Sequence, residues 1–178
     1  MASLEKAVVK GLAEDKGLYM PERIKPLPKE FFDSIDKMSF QEIAYTVADA
    51  FFGEDVDADS LKKIVYDTLA FDCPVVKVTD QIYSLELFHG PTLAFKDVGA
   101  RFMARLLQYF LKKENNGKEV NVLVATSGDT GSAVANGFLG VECCRRILRF
   151  VQLRPFRRCA RHVSRSGTGP TFLLIVFL

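Results

Sequence analysis

Along residues 1–73 apolar side chains recur every three or four positions, and from Pro74 the period shortens toward two. The first spacing predicts helices and the second strands, because helix faces repeat every 3.6 residues while successive strand side chains point to opposite faces. Ser3 to Leu12 opens on a hydroxyl and carries Leu4, Ala7 and Val8 on one side, the pattern of a short capped amphipathic helix. Pro21, Pro26 and Pro28 then predict an extended connection. Ser39-Phe40-Gln41-Glu42 has capping-box spacing, and Ile43, Val47, Ala50 and Phe51 continue it at helical intervals. After Gly53, either Asp57 or Asp59 suits the cap of a helix whose core face is Leu61, Ile64, Val65 and Leu69. These helices read as scaffold, and their aromatic residues as core.

Val75–Val78 and Ile82–Phe88 are β-branched and alternating around Thr79-Asp80-Gln81, which predicts two strands and a turn. The chain then reaches His89-Gly90-Pro91-Thr92-Leu93-Ala94-Phe95-Lys96-Asp97. Beyond it, Met103, Leu106, Leu107, Phe110 and Leu111 predict a long amphipathic helix that stops near Asn115-Asn116-Gly117. Val120 to Ala125 is an almost unbroken apolar run, as expected of a parallel strand buried on both faces. Thr126-Ser127-Gly128-Asp129-Thr130-Gly131 follows, and Ser132 to Leu139 begins another helix. Strand, helix, strand, glycine loop and helix is the start of a parallel α/β layer.

Two stretches carry candidate chemistry. Lys96 stands at the positive end of a helix beside Leu93 and Phe95, and walls of that kind disfavour the ammonium form and favour Schiff-base chemistry. Gly90 and Pro91 tighten the loop that holds it. The alternative is an ordinary loop lysine with its ammonium in water. Ser127, Thr130 and the backbone N–H groups around Gly128 and Gly131 lie between a buried strand and a helix, a geometry that binds a carboxylate or phosphate. The alternative is a polar turn in which Asp129 or Thr130 caps the next helix.

Composition narrows the class. The 178 residues are 48% hydrophobic and 26% charged, a balance that excludes a disordered tail. Met1 to Lys6 mixes acid and base without an apolar segment, which predicts no secretory signal. The longest apolar run, Phe172–Leu178, is far short of the roughly 20 residues of a membrane span, so a cytoplasmic chain that neither crosses nor binds a membrane is expected. Cys73, Cys143, Cys144 and Cys159 show no C-x-x-C spacing, and with only His89 and His162 beside them neither a metal site nor a disulfide framework is expected.

Residues 89–103, HGPTLAFKDVGARFM, and 125–137, ATSGDTGSAVANG, resemble the threonine synthase family of fold type II pyridoxal-phosphate enzymes. Gly11-Leu12-Ala13 and Gly17-Leu18-Tyr19-Met20-Pro21 resemble its N-terminal domain, so the resemblance runs in order over roughly residues 1–141. It implies an α/β protein in three parts: a mainly helical N-terminal domain (1–73), the incomplete start of the fold type II parallel sheet (74–141), and a foreign tail (142–178). It further implies pyridoxal 5'-phosphate as cofactor, covalently held by Lys96 as catalytic and cofactor-binding residue. Ser127, Gly128, Asp129 and Thr130 become the loop that takes the substrate carboxylate beside the cofactor. The implied lyase reaction converts O-phospho-L-homoserine and water into L-threonine and phosphate. A related phospho-lyase that eliminates phosphate without hydration remains open.

The family pattern has a short strand before the first helix, so a little of the front is expected to be missing. The larger departure follows Val141. Eight Arg stand against Glu142 alone in residues 142–178, a charge of +7, which leaves −5 on residues 1–141. Residues 1–141 hold 13 Lys and only Arg23, Arg101 and Arg105, whereas the tail has no Lys. So sharp a switch predicts that residues from about 142 are translated out of frame, that no sheet element follows Val141, and that the chain as it stands is inactive. The competing reading is an Arg-rich arm on a non-catalytic fragment, with Phe150 and Phe156 able to stack on bases. The apolar Phe172–Leu178 terminus argues against nucleic acid as partner.

Overall fold

The computed structural model describes residues 1–114, 120–125, 129–142, 144–148 and 172–177. Helix α1 (Leu4–Lys10) begins where the Ser3 hydroxyl accepts the Lys6 amide at 3.1 Å. It stops two residues before Leu12, because Gly11 turns the chain at φ 76° while its N–H closes the last turn on the Ala7 carbonyl. The three prolines end their extended run earlier than expected. Pro28 leads into α2 (Lys29–Ser34), followed by a 3-10 turn at Ile35–Lys37. A proline costs no hydrogen bond ahead of a helix's first turn, so there it starts structure instead of breaking it.

Helix α3 (Phe40–Phe52) carries both halves of the capping box: the Ser39 amide donates to Glu42 Oε2 at 2.7 Å and the Glu42 amide to Ser39 Oγ at 3.3 Å. Its buried stripe is rotated from the expected one. Ala48 and Ala50 are buried and Ala44, Tyr45 and Phe52 pack on the core, while Val47 and Phe51 stay exposed. In α4 (Ala58–Thr68), Asp57 Oδ1 accepts the Ser60 amide at 2.9 Å, which settles the cap in favour of Asp57. Leu61, Ile64, Val65 and Leu69 are all buried, as expected, and burying each is worth roughly 1.5–3 kcal/mol.

Strands β1 (Val75–Lys77) and β2 (Tyr83–Leu85) form an antiparallel hairpin in the register Val75↔Leu85, shorter than the sequence pattern and exposed along both strands. Helix α5 (Lys96–Glu114) is the spine of the fold. Ala100, Ala104, Leu107 and Leu111 face one cluster, with Val120, Val122, Val124, Ala133, Val134 and Phe138. Leu106 and Phe110, supported by Val98 and Phe102, face a second cluster built on α3 and α4. One helix thus joins the helical N-terminal segment to the α/β layer.

Strand β3 (Val120–Ala125) lies between β4 (Cys144–Leu148) and β5 (Phe172–Phe177), parallel to both. Val120, Val122 and Val124 turn one face of β3 against α5 and α6 (Asp129–Gly137). The expectation that no sheet element follows Val141 is therefore corrected. A buried strand has N–H and C=O groups on both edges that must be paired, and the apolar Ile147-Leu148 and Phe172–Phe177 runs supply the partners. The architecture is a mainly helical N-terminal segment followed by the start of a parallel α/β layer.

Candidate active site

The loop before α5 is built by two backbone bonds: the Leu93 amide donates to the Gly90 carbonyl and the Asp97 amide to the Ala94 carbonyl, both at 3.0 Å. Leu93 takes φ 57°, a left-handed conformation that costs a side-chain-bearing residue about 1–2 kcal/mol. Asp97 is fully buried and accepts from Thr92 twice, from its amide at 2.9 Å and its hydroxyl at 2.7 Å. Lys96 is the first residue of α5 and half-buried. It belongs to the helix, whereas the sequence pattern put it in the preceding loop.

The Lys96 Nζ donates to Thr130 Oγ1, 34 residues away. Thr130 is the second residue of α6 and only 5% exposed. Helix α6 starts at Asp129, three residues earlier than the Ser132 start read from the sequence, with the Ser132 hydroxyl bonded to the Asp129 carbonyl at 2.7 Å. Two helix N-termini therefore meet at one amine and one buried hydroxyl. Each contributes the positive end of its dipole, a setting suited to an anionic group beside the amine. Their meeting depends on Gly137: a Cβ there would stand 2.9 Å from the carbonyl carbon and oxygen of Ala100. No Cβ stands between the helices at that point.

Several expected features lie elsewhere. Leu93 is 76% exposed and Phe95 62%, so they do not wall the amine from water, although the Phe95 ring centroid lies 5.7 Å from Lys96 Nζ. The apolar walls expected around the amine are therefore not supplied by Leu93 and Phe95. Of the expected carboxylate loop, Thr130 reaches the lysine, Asp129 is exposed, and Ser127 and Gly128 lie outside the described residues. Arg101 donates to the Asp67 carbonyl at 2.6 Å and the Thr68 carbonyl at 3.0 Å, closing the end of α4, while Arg105 donates to the Arg101 carbonyl at 3.2 Å. Burial holds the Arg105 guanidinium below its ordinary value, with repulsion from Arg101 adding to it. Both are structural in this arrangement. His89 pairs with Glu86 at 2.7 Å and stacks on Phe88.

Asp97 and Thr92 were not singled out from the sequence. The available signal was an acidic residue in the first turn of a predicted helix, which fits any helix start. Among the described residues no group of His, Cys, Asp and Glu is placed to hold a metal, and no helix is long and apolar enough to cross a membrane.

The geometry can be set beside known proteins. Residues 1–69 match the family model described as the threonine synthase N terminus. Threonine synthase from Serratia marcescens is 41% identical over 150 residues, covering 84% of this chain and 34% of the relative. The enzyme from Escherichia coli is 40% identical over 148 residues, with 83% and 34% covered. The chain is similar to the N-terminal portion of threonine synthase. The solved threonine synthase from Escherichia coli superposes with a TM-score of 0.73 at 37% identity, over 83% of this chain and 33% of that one. A threonine synthase from Brucella melitensis solved with pyridoxal phosphate bound gives 0.77 at 34% identity, over 83% and 32%. The chain thus spans about a third of the length of the threonine synthases it matches. The family match ends at Leu69, the residue that caps the C-terminus of α4, so Lys96 and Thr130 lie beyond it and within the stretch aligned with the relatives.

Proposed function

We propose that this chain carries the lysine-bearing part of a threonine synthase active site, serving the conversion of O-phospho-L-homoserine and water into L-threonine and phosphate. The observation that carries the reading is the contact between Lys96 Nζ and the buried Thr130 hydroxyl where α5 and α6 begin. That donor set fits pyridoxal 5'-phosphate: a single amine for its aldehyde, with two helix N-termini favouring negative charge nearby. Lys96 is the residue that would hold the cofactor, and Ser127, Gly128, Asp129 and Thr130 would bind the substrate carboxylate. When bound, the cofactor supplies an electron sink for charge developing on the substrate. The Lys96 amine, once free, takes the proton from the substrate α carbon, and the Thr130 hydroxyl beside it keeps that amine aimed at the site.

The exposed Leu93 and Phe95 do not shield this half-buried amine from water, and a reaction of this kind needs water excluded. The chain as it stands is therefore expected to take up cofactor without turnover. The switch from lysine to arginine supports reading residues 142–178 as out of frame. A DNA sequence with an uninterrupted native frame across codon 141 would reject that reading.

The function is tested by incubating the purified chain with pyridoxal phosphate, reducing with borohydride and mapping the modified lysine by mass spectrometry. Fixation at Lys96, lost in Lys96→Ala, supports the reading. Uniform labelling of surface lysines in both proteins would overturn it.

A further inference from the structure

The direction of the Lys96 amine has to be set by something, since a lysine side chain has four rotatable bonds and this one is only half-buried. The adjacent residue supplies the constraint. Asp97 is 0% exposed, with Oδ2 accepting the Thr92 amide and Oδ1 the Thr92 hydroxyl. A carboxyl group taken out of water is costly unless bonded, so these two bonds hold the side chain in place and with it the rotational setting of the first turn of α5. Successive helix residues leave the axis about 100° apart, so with Asp97 fixed inward the Lys96 side chain departs at one defined angle. At that angle α6 presents Thr130.

Gly90 completes the arrangement. A Cβ at this position would lie 2.6 Å from Asp97 Oδ2 and 2.8 Å from Asp97 Cβ, closer than real Cβ contacts come. The Gly90 carbonyl also accepts the Leu93 amide, closing the left-handed turn that brings Thr92 over Asp97. Gly90, Thr92 and Asp97 therefore form one lock.

We propose that Asp97, held by Thr92 over Gly90, is a positioning residue that aims the Lys96 amine at the start of α6. Its consequence for catalysis rests on the proposed function; the lock itself is a property of the fold. None of the three residues touches the reacting atoms in this account, and Asp97 acts only through the helix that bears Lys96.

The test uses the full chain and reads lysine reactivity without cofactor. A limiting dose of an acetylating N-hydroxysuccinimide ester is applied, and labelling of Lys96 relative to the exposed Lys63 of α4 is read by mass spectrometry. In the unsubstituted protein the ratio is expected to lie several-fold below one. Thr92→Val removes the hydroxyl donor while keeping the side-chain shape, and Asp97→Asn removes one acceptor; both should raise the ratio toward one. Thr92→Ser keeps the hydroxyl and should restore the low ratio, a rescue that mere loss of stability does not give.

Circular dichroism melts show which variants fold, and Thr92→Val alone suffices should Asp97→Asn unfold. A ratio near one in the unsubstituted protein, or one unmoved by Thr92→Val, overturns the proposal. Failure of borohydride to fix pyridoxal phosphate on Lys96 while the labelling pattern holds rejects the proposed function and supports the lock.

Discussion

Gly137 of α6 lies so close to Ala100 of α5 that a methyl group at 137 would stand 2.9 Å from the Ala100 carbonyl. This contact lets two helices begin at one place, with Lys96 one turn before Ala100 and Thr130 two turns before Gly137. Gly137→Ala should push the helices apart and cost about 1–3 kcal/mol, the usual range for overfilling a packed contact. Denaturant melts measure the loss, and borohydride fixation at Lys96 should fall in the same variant. A wild-type melt would show that the helices close without the glycine.

Leu93 should respond to substitution by backbone conformation and little else, because its side chain is largely in solvent. Leu93→Gly removes the left-handed strain at the expense of a more flexible unfolded chain, and the two effects nearly offset. Leu93→Val adds a β-branched residue where φ is 57°. The two variants should differ in stability by about 1–2 kcal/mol, glycine being the more stable. Equal melting curves would sink the strain argument.

Arg101→Met keeps most of the apolar stem while removing the guanidinium that closes α4 on the Asp67 and Thr68 carbonyls. A loss of about 1–3 kcal/mol is expected, from two hydrogen bonds to a charged donor. Hydrogen exchange should locate the loosening in the last turn of α4. Cofactor fixation at Lys96 should be unchanged in the folded fraction, which separates this role from phosphate binding.

Glu14 is the clearest acid-sensitive group. Hydrogen bonds from Lys10 and then Lys6, at 2.6 and 2.8 Å, lower its carboxyl from an ordinary 4.5 to about 2. A lowered folded-state value means the stabilisation is present above pH 4.5 and is lost as the pH falls through about 2. All three side chains are exposed, so salt should weaken the effect. Melts from pH 5 to 2 at low and high ionic strength should show a shallower acid slope in Glu14→Gln and in high salt.

Much of this protein is written locally. The caps at Ser3, Ser39 and Asp57, and the core face of α4, follow from short-range pairing of side chains with helix amides and from a single repeat of apolar residues. The two-period pattern also anticipated the change from helices to strands after Pro74, and the motif around Lys96 suggested a candidate chemistry. Other features depend on partners far away in sequence. The rotated stripe of α3, the exposure of Leu93 and Phe95, and the strands after Val141 were decided by what packs against them, and a local period carries no record of that.

The sequence by itself singled out Lys96 as the candidate amine and residues 126–131 as the loop that could face it. Only the tertiary structure decided that Thr130 is the hydroxyl reaching Lys96, that Gly137 permits the approach, and that Asp97 is fully buried under Thr92. The reason is physical: capping and periodicity act over three or four residues, whereas the contact from Lys96 to Thr130 spans 34 and exists only once α5 and α6 have packed on β3.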